Sequence, residues 1–142
     1  MYSRLAICVV LTWTTTIFSG CGNGVAQPEF ATLHPVSGKL VRAGAPVAGG
    51  SLRFVPLSDQ PEFNFNSIVE EDGSFRLTTV RTTDTRGERR PGAPAGEYSV
   101  IYYPVVVDQT VSNSEPVTLP QTVTIEANDN QIKLELPVDK PT

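Results

Sequence analysis

The chain has 142 residues and a formal net charge of −4, which indicates one domain with a mildly acidic balance. Nucleic-acid binding and a polybasic membrane contact both require clustered positive charge, so this balance argues against either role. A mild acidic balance by itself mainly favours solubility.

The N-terminus has the pattern of an export signal. Arg4 precedes an apolar stretch from Leu5 to Phe18, which threonines dilute. A membrane-spanning helix needs about 20 mostly apolar residues, and this stretch is shorter. A positive charge, a short apolar run and small residues before a cleavage site predict a signal peptide over residues 1–20.

The end of this segment, Phe18-Ser19-Gly20-Cys21, resembles the lipobox of bacterial lipoproteins, although Phe18 stands where leucine is usual. The resemblance implies cleavage between Gly20 and Cys21 and a thioether-linked diacylglycerol on Cys21. It also implies acylation of the new amine by a fatty acid such as palmitate. Cys8 would leave with the signal, so the mature domain would have no disulfide. The alternatives are an ordinary signal peptide and an uncleaved N-terminal anchor.

A polar segment with glycines and Pro28 follows, and predicts a flexible tether over residues 21–33. The domain is expected over 34–138, with 139–142 as a tail. No window has apolar residues at sustained helical spacing, whereas short alternating runs recur between turn signals.

Seven strands are predicted from this alternation. Their characteristic positions are Val36, Gly38 and Leu40; Leu52 and Phe54; Asn66 to Glu70; Phe75, Leu77 and Thr79; Tyr98, Val100 and Tyr102; Val123 and Ile125; and Ile132, Leu134 and Leu136. Seven short strands favour an all-β, immunoglobulin-like β-sandwich.

Turn residues separate the predicted strands. Glu71-Asp72-Gly73 predicts a tight hairpin between the third and fourth strands, because aspartate tolerates turns and glycine supplies positive φ. Asn128-Asp129-Asn130 predicts a similar turn between the sixth and seventh. The polar stretch from Thr82 to Pro94 is expected to be an exposed loop. Pro104 to Pro120 is expected to be a long connection containing an edge strand at Val105–Val107.

The order of several motifs resembles the carboxypeptidase regulatory-like, or transthyretin-like, β-sandwich domains. The motifs are Val36-Ser37-Gly38-Lys39-Leu40-Val41, Gly44-Ala45-Pro46-Val47-Ala48-Gly49-Gly50, Leu52-Arg53-Phe54-Val55-Pro56, Glu71-Asp72-Gly73-Ser74-Phe75-Arg76-Leu77 and Pro94-Ala95-Gly96-Glu97-Tyr98-Ser99-Val100. The resemblance covers roughly residues 34 to 102. It is strongest to short bacterial lipoproteins that are built from one such domain. The resemblance implies an accessory role, because in relatives attached to metallocarboxypeptidases this domain lies beside the catalytic domain and does not carry the peptidase activity.

Three residues within these motifs have a physical interpretation. Gly38 is expected to allow a close strand approach or a bulge. Pro46 stiffens the turn between the first two strands. Tyr98 is expected to bury its ring and to donate its hydroxyl to a backbone carbonyl, as in a tyrosine corner.

Few residues are candidates for chemistry. His34, the only histidine, would have to carry any catalytic triad or histidine-based zinc site, but an exposed histidine at a strand edge is the favoured interpretation. The carboxylates Glu70, Glu71 and Asp72 could bind calcium, although a hairpin turn is favoured because an alternating ligand loop is lacking.

Two further groups could bind a ligand. Arg86, Glu88, Arg89 and Arg90 could dock an anionic partner or polysaccharide, with a solvated loop as the favoured alternative. Tyr102 and Tyr103, beside Pro104, could form a sugar-stacking platform with Phe63 or Phe65, with core packing as the favoured alternative.

We therefore expect no catalytic residue, no metal ligand and no cofactor apart from the lipid on Cys21. The sequence favours a lipid-anchored, non-enzymatic cell-envelope module with a structural or protein-interaction role. Binding of a carbohydrate or cell-wall polymer is the alternative. Gly22 stands where inner-membrane lipoproteins of some bacteria carry aspartate, which by analogy permits sorting to the outer membrane.

Overall fold

The computed structural model describes residues 26–83, 87–105 and 115–138, and these residues form β-strands and no helix. The all-β prediction is therefore confirmed. In chain order the strands are β1 (Val36–Arg42), β2 (Ala45–Pro46), β3 (Ser51–Pro56), β4 (Phe63–Ile68), β5 (Ser74–Arg76), β6 (Thr78–Arg81), β7 (Arg89–Pro91), β8 (Gly96–Tyr103), β9 (Val117–Ile125) and β10 (Asn130–Leu136).

The strands form two sheets, as in a β-sandwich. The larger sheet has the order β7-β6-β4-β3-β8-β9, and all its neighbours pair antiparallel. In the smaller sheet β1 pairs parallel with β10 along its whole length, from Val36 opposite Asn130 to Arg42 opposite Leu136. The short strands β2 and β5 pair antiparallel with the other edge of β1. The first and last strands are thus joined directly.

The core lies between the two sheets and is built by the alternation of side chains along each strand. Phe54 of the larger sheet and Phe75 of the smaller sheet have ring centroids 6.1 Å apart. Most predicted core positions are buried, while Ile132 is half-buried against the core. The buried cluster is Val36, Leu40, Leu52, Phe54, Phe65, Val69, Phe75, Leu77, Ala93, Tyr98, Val100, Tyr102, Leu119, Val123, Ile125, Leu134 and Leu136.

The described residues form ten strands, whereas seven were predicted. The predicted fourth strand is divided between the sheets, because the chain passes from β5 in the smaller sheet to β6 in the larger sheet at Leu77. The Leu77 amide donates to the Val36 carbonyl (2.9 Å), and the Leu77 carbonyl accepts from the Gly92 amide (2.8 Å). Phe75, Leu77 and Thr79 are nevertheless all buried, so the predicted alternation is correct.

Two predicted boundaries and one turn need correction. β4 begins at Phe63, before the predicted Asn66, and β9 begins at Val117, inside the predicted connection. Asn128-Asp129-Asn130 is not a hairpin turn, because β9 belongs to the larger sheet and β10 to the smaller sheet. Val105 is exposed and outside the strands, and the rest of the predicted edge strand lies outside the described residues.

The prediction of an exposed loop from Thr82 to Pro94 is wrong for its second half. β7 pairs with the edge of β6, which would otherwise present unpaired backbone groups to solvent. Gly92, Ala93 and Pro94 are buried, and the Thr79 hydroxyl donates to the Gly92 carbonyl at 2.6 Å.

The predicted signal peptide, the cleavage site at Gly20 and Cys21, and the tail 139–142 lie outside the described residues. Within the described ranges, no helix has the length and apolar character to cross a membrane.

Candidate functional site

At Gly38 the backbone of β10 lies against β1 with no room for a side chain. A Cβ added at this residue would lie 1.8 Å from the Ile132 carbonyl oxygen and 2.9 Å from Cζ of Phe75. Only a residue without a side chain can occupy this position. The expected close strand approach at Gly38 is therefore confirmed.

The carboxylate cluster forms a tight turn, as the favoured interpretation predicted. The turn joins β4 of the larger sheet to β5 of the smaller sheet, so its two arms pair only through one isolated antiparallel bridge and not as the predicted hairpin. The Gly73 amide donates to the Glu70 carbonyl at 3.0 Å, and Gly73 has a φ of 79°. Asp72 accepts hydrogen bonds from the Ser74 hydroxyl (2.5 Å) and the Ser74 amide (2.9 Å) and lies 3.7 Å from Lys39. The Ser74 hydroxyl, followed by the Ser74 amide, lowers the pKa of Asp72. Among the described residues, no group of three or more potential metal-ligating side chains is placed to hold an ion.

Tyr98 forms the expected tyrosine corner. Its hydroxyl donates to the carbonyl of Pro94, four residues upstream, at 2.8 Å. Its ring lies edge-on to Phe65, with centroids 5.5 Å apart, and also contacts Phe54. Burial raises the pKa of Tyr98 to about 12, because the phenolate would lose its hydration.

The hypothesis of a sugar-stacking platform is wrong. Tyr102 is buried and donates its hydroxyl to the Gly49 carbonyl at 3.2 Å, and burial raises its pKa. Tyr103 follows it on β8 and therefore points to the opposite face of the sheet. Phe65 is in the core, while Phe63 is half-buried and packs on Phe30 with ring centroids 5.2 Å apart.

His34 is held by its backbone. Its amide donates to the Ala93 carbonyl at 2.9 Å, and its carbonyl accepts from the Ala93 amide at 3.1 Å. Gly92 packs on this bridge so closely that a Cβ there would lie 2.3 Å from the His34 carbonyl oxygen. His34 thus ties the segment before β1 to the end of β7, and its side chain is half-buried rather than exposed.

The arginine-rich segment contributes to a cluster at the edge formed by β6 and β7. Glu88 lies 3.2 Å from a guanidinium nitrogen of Arg81 and 2.8 Å from one of Arg90. The guanidinium carbons of Arg81 and Arg90 lie 4.6 and 4.4 Å from the centroid of the Phe30 ring. Cation–π contacts of this kind stabilise the docking of an aromatic ring. Arg86 lies outside the described residues.

This cluster holds the segment that precedes the domain. Besides the Phe30 contacts, the Thr83 hydroxyl donates to the side-chain carbonyl of Gln27 at 2.9 Å. Sequence reasoning missed Arg81 and Phe30, because neither residue stands in a motif and their contacts join distant parts of the chain.

Asn130 organises the passage from β9 to β10. Its Oδ1 accepts from the Glu126 amide at 2.9 Å, and its Nδ2 donates to the carbonyls of Asn128 (2.8 Å), Glu126 (3.0 Å) and Pro35 (3.3 Å). The side chain is buried, and these hydrogen bonds satisfy its polar atoms within the protein. The sequence indicated only a turn here, whereas the structure shows a hydrogen-bonded junction between the two sheets.

Replacing Asn130 with aspartate is expected to lower the free energy of unfolding by about 2–4 kcal/mol. The change keeps the size of the side chain but places an acceptor against three carbonyl oxygens and removes their donor. Asn128→Asp is the control, because Asn128 is exposed and its amide donates only to the Glu126 carboxylate. It should cost less than about 1 kcal/mol. Urea unfolding followed by circular dichroism measures both, and equal losses would contradict the assigned role of Asn130.

A groove of about 1180 Å³ lies on the outside of the protein, where parts of both sheets meet. We call it the basic groove, because its lining includes Lys39, Arg76, Arg89 and Lys133 and the single carboxylate of Glu70. Strand alternation directs Lys39, Arg76 and Lys133 away from the core. Of these cations, only Arg89 belongs to a cluster singled out in the sequence.

Comparisons with known proteins identify no relative of this chain: no family profile, curated protein or solved structure matches it. The functional argument therefore depends on the residues and contacts described above.

Proposed function

We propose that the chain is a lipid-anchored, non-enzymatic β-sandwich module of the bacterial cell envelope, with a structural or protein-interaction role. Its fold would be the transthyretin-like, or carboxypeptidase regulatory-like, sandwich that the order of its motifs resembles. The anchor would be the acyl chains on Cys21.

The observation that carries the non-enzymatic part is the structural use of the candidate groups. The Asp72 carboxylate accepts from Ser74, the Tyr98 hydroxyl donates to Pro94, and the Tyr102 hydroxyl donates to Gly49. Catalytic groups normally combine a shifted pKa with access to substrate in a cleft. Among the described residues, the raised pKa values belong to two tyrosines in the core, which supports a scaffold role.

The contacts of the N-terminal segment support an anchored domain with a defined orientation. Gln27 and Phe30 are docked at the β6–β7 edge, and only six positions separate Cys21 from Gln27. Such a link spans at most about 20 Å when fully extended. A lipid on Cys21 would therefore keep this edge of the domain near the bilayer surface.

The anchor is tested with the full chain expressed in a Gram-negative bacterium. The mature N-terminus is expected to be Cys21 with a diacylglycerol and an acyl group, as seen by mass spectrometry, and the protein should enter the detergent phase. Cys21→Ser should abolish both results, because burial of acyl chains contributes about 0.8 kcal/mol per CH₂ and no other anchor is proposed. Cys8→Ser is the matched control and should be processed like the wild type. A retained Met1 or an unmodified Cys21 would overturn the proposal.

The interaction role needs a separate measurement. Chemical cross-linking in intact envelopes should recover a specific neighbour from the wild-type protein, with the Cys21→Ser protein as the control for nonspecific capture. Recovery of the same background from both proteins would count against a protein-interaction role. Binding of a carbohydrate or cell-wall polymer is the second candidate, which the basic groove favours.

A further inference from the structure

The basic groove concentrates positive charge on an acidic chain. The whole protein has eleven lysines and arginines against fifteen aspartates and glutamates. In the groove this balance is reversed, since the four cationic side chains face one carboxylate, Glu70. A local field of this sign attracts anions despite the negative net charge.

Within the part of the chain that the structure describes, three of these cations form no ion pair. Lys39 lies 3.7 Å from Asp72, whereas Arg76, Arg89 and Lys133 make no ion pair with another described residue. Because these three side chains are exposed and make no such ion pair, a role in holding the fold does not account for them.

The register of the smaller sheet places two of the cations side by side. Lys39 of β1 is the direct partner of Lys133 of β10, and Arg76 of β5 is the partner of Ser37 on the same face. Like charges on directly opposed strand positions repel each other. An anion bound across β5, β1 and β10 would relieve this repulsion.

The remaining lining indicates the class of anion. The volume of about 1180 Å³ exceeds the usual range for a site that encloses one small molecule. The lining is rich in hydroxyl and amide groups from serines, Thr78, Asn66 and Gln131. Such groups suit a hydroxylated chain whose negative charges are spaced along it.

An acidic peptide fits the groove less well. Protein interfaces are centred on buried apolar and aromatic anchors. The apolar lining of the groove is aliphatic apart from Phe75: Ile68 is exposed, Ile132 is half-buried, and Val41 and Phe75 are buried. No exposed aromatic side chain among the lining residues is available as an anchor. We therefore propose that the basic groove binds an anionic polysaccharide, whose charged groups pair with Arg76, Arg89, Lys39 and Lys133. This inference goes beyond the anchoring proposed above and does not depend on it.

The test uses the full chain, extracted in detergent micelles, and fluorescein-labelled polygalacturonate as the probe. Fluorescence anisotropy should show saturable binding that weakens as salt rises from about 0.05 to 0.5 M, because the Debye length shortens. Neutral dextran should not compete, whereas dextran sulfate should. Absence of binding to polygalacturonate and to dextran sulfate would overturn the proposal.

Charge-removing variants locate the binding to the groove. The triple variant Arg76→Gln, Arg89→Gln, Lys133→Gln should weaken polygalacturonate binding at least about tenfold, and Arg76→Gln alone about threefold. Arg53→Gln is the matched control, since it removes the same charge from an exposed strand position outside the groove. All these side chains are exposed, so thermal unfolding should be unchanged. An equal loss in Arg53→Gln and Arg76→Gln would overturn the assignment.

Two further measurements distinguish this proposal from binding of an acidic peptide and from an effect of lipidation. Poly-glutamate of matched charge should bind more weakly than polygalacturonate, and equal or tighter binding of the peptide would overturn the choice of a polysaccharide. Cys21→Ser should bind polygalacturonate as the wild type does, which keeps the outcome independent of lipidation.

Discussion

Replacing Gly38 with alanine is expected to lower the free energy of unfolding by more than about 4 kcal/mol, or to prevent folding. The new Cβ would lie 1.8 Å from the Ile132 carbonyl oxygen and 2.9 Å from Phe75, so β1 and β10 would have to separate. These strands pair over the whole length of β1, and their separation would open the smaller sheet at its centre. Denaturant unfolding followed by circular dichroism measures the loss.

Gly44→Ala is the control for this prediction. Gly44 has a φ of 81°, but a Cβ there would meet no atom within 4 Å. Its substitution should therefore cost only the backbone strain of the left-handed region, about 1–2 kcal/mol. A Gly38→Ala protein as stable as Gly44→Ala would show that the two strands do not approach as closely as described.

Truncating Tyr98 to alanine is expected to lower the free energy of unfolding by about 3–5 kcal/mol, and Tyr98→Phe by about 1–2 kcal/mol. The alanine variant removes the ring that packs on Phe54 and Phe65, whereas the phenylalanine variant removes only the hydrogen bond to Pro94. Tyr103→Phe is the control, because Tyr103 lies on the opposite face of β8 and is only half-buried. It should change stability by less than about 0.5 kcal/mol.

The buried tyrosine also predicts a dependence on alkaline pH. Burial raises the pKa of Tyr98 from 10.0 in its ordinary state to about 12, and the folded protein therefore disfavours the phenolate. The associated stability is fully present below pH 10 and is lost as the pH rises from about 10 to about 12. The difference in unfolding free energy between wild type and Tyr98→Phe should narrow or reverse over this range. A constant difference from pH 9 to 12 would contradict it.

The positions of the core residues and of the main turn could be predicted because they depend on neighbours along the chain. Leu52, Phe54, Tyr98 and Val100 occupy alternate positions, and alternation alone assigns them to one face of a strand. The Asp72-Gly73 turn is similarly local, since its hydrogen bonds join residues a few positions apart.

The assignment of strands to sheets could not be predicted in this way. Alternation continues unbroken from Phe75 to Thr79, although the chain changes sheets at Leu77. The change depends on the backbone hydrogen bonds of Leu77 with Val36 and Gly92. Strand β7 was missed for the same reason. It has no alternating apolar residues, and it is a strand because it pairs with β6.

The sequence by itself determined the all-β class, the inward-facing residues of most strands and the tyrosine corner at Tyr98. Each depends on local periodicity or on the stereochemistry of one residue. Only the tertiary structure decided the two sheets, the Asn130 junction, the docking of Phe30 and the basic groove. In the groove, the parallel pairing of β1 with β10 places Lys39 beside Lys133. Contacts between residues so far apart depend on strand pairing, which no local pattern specifies.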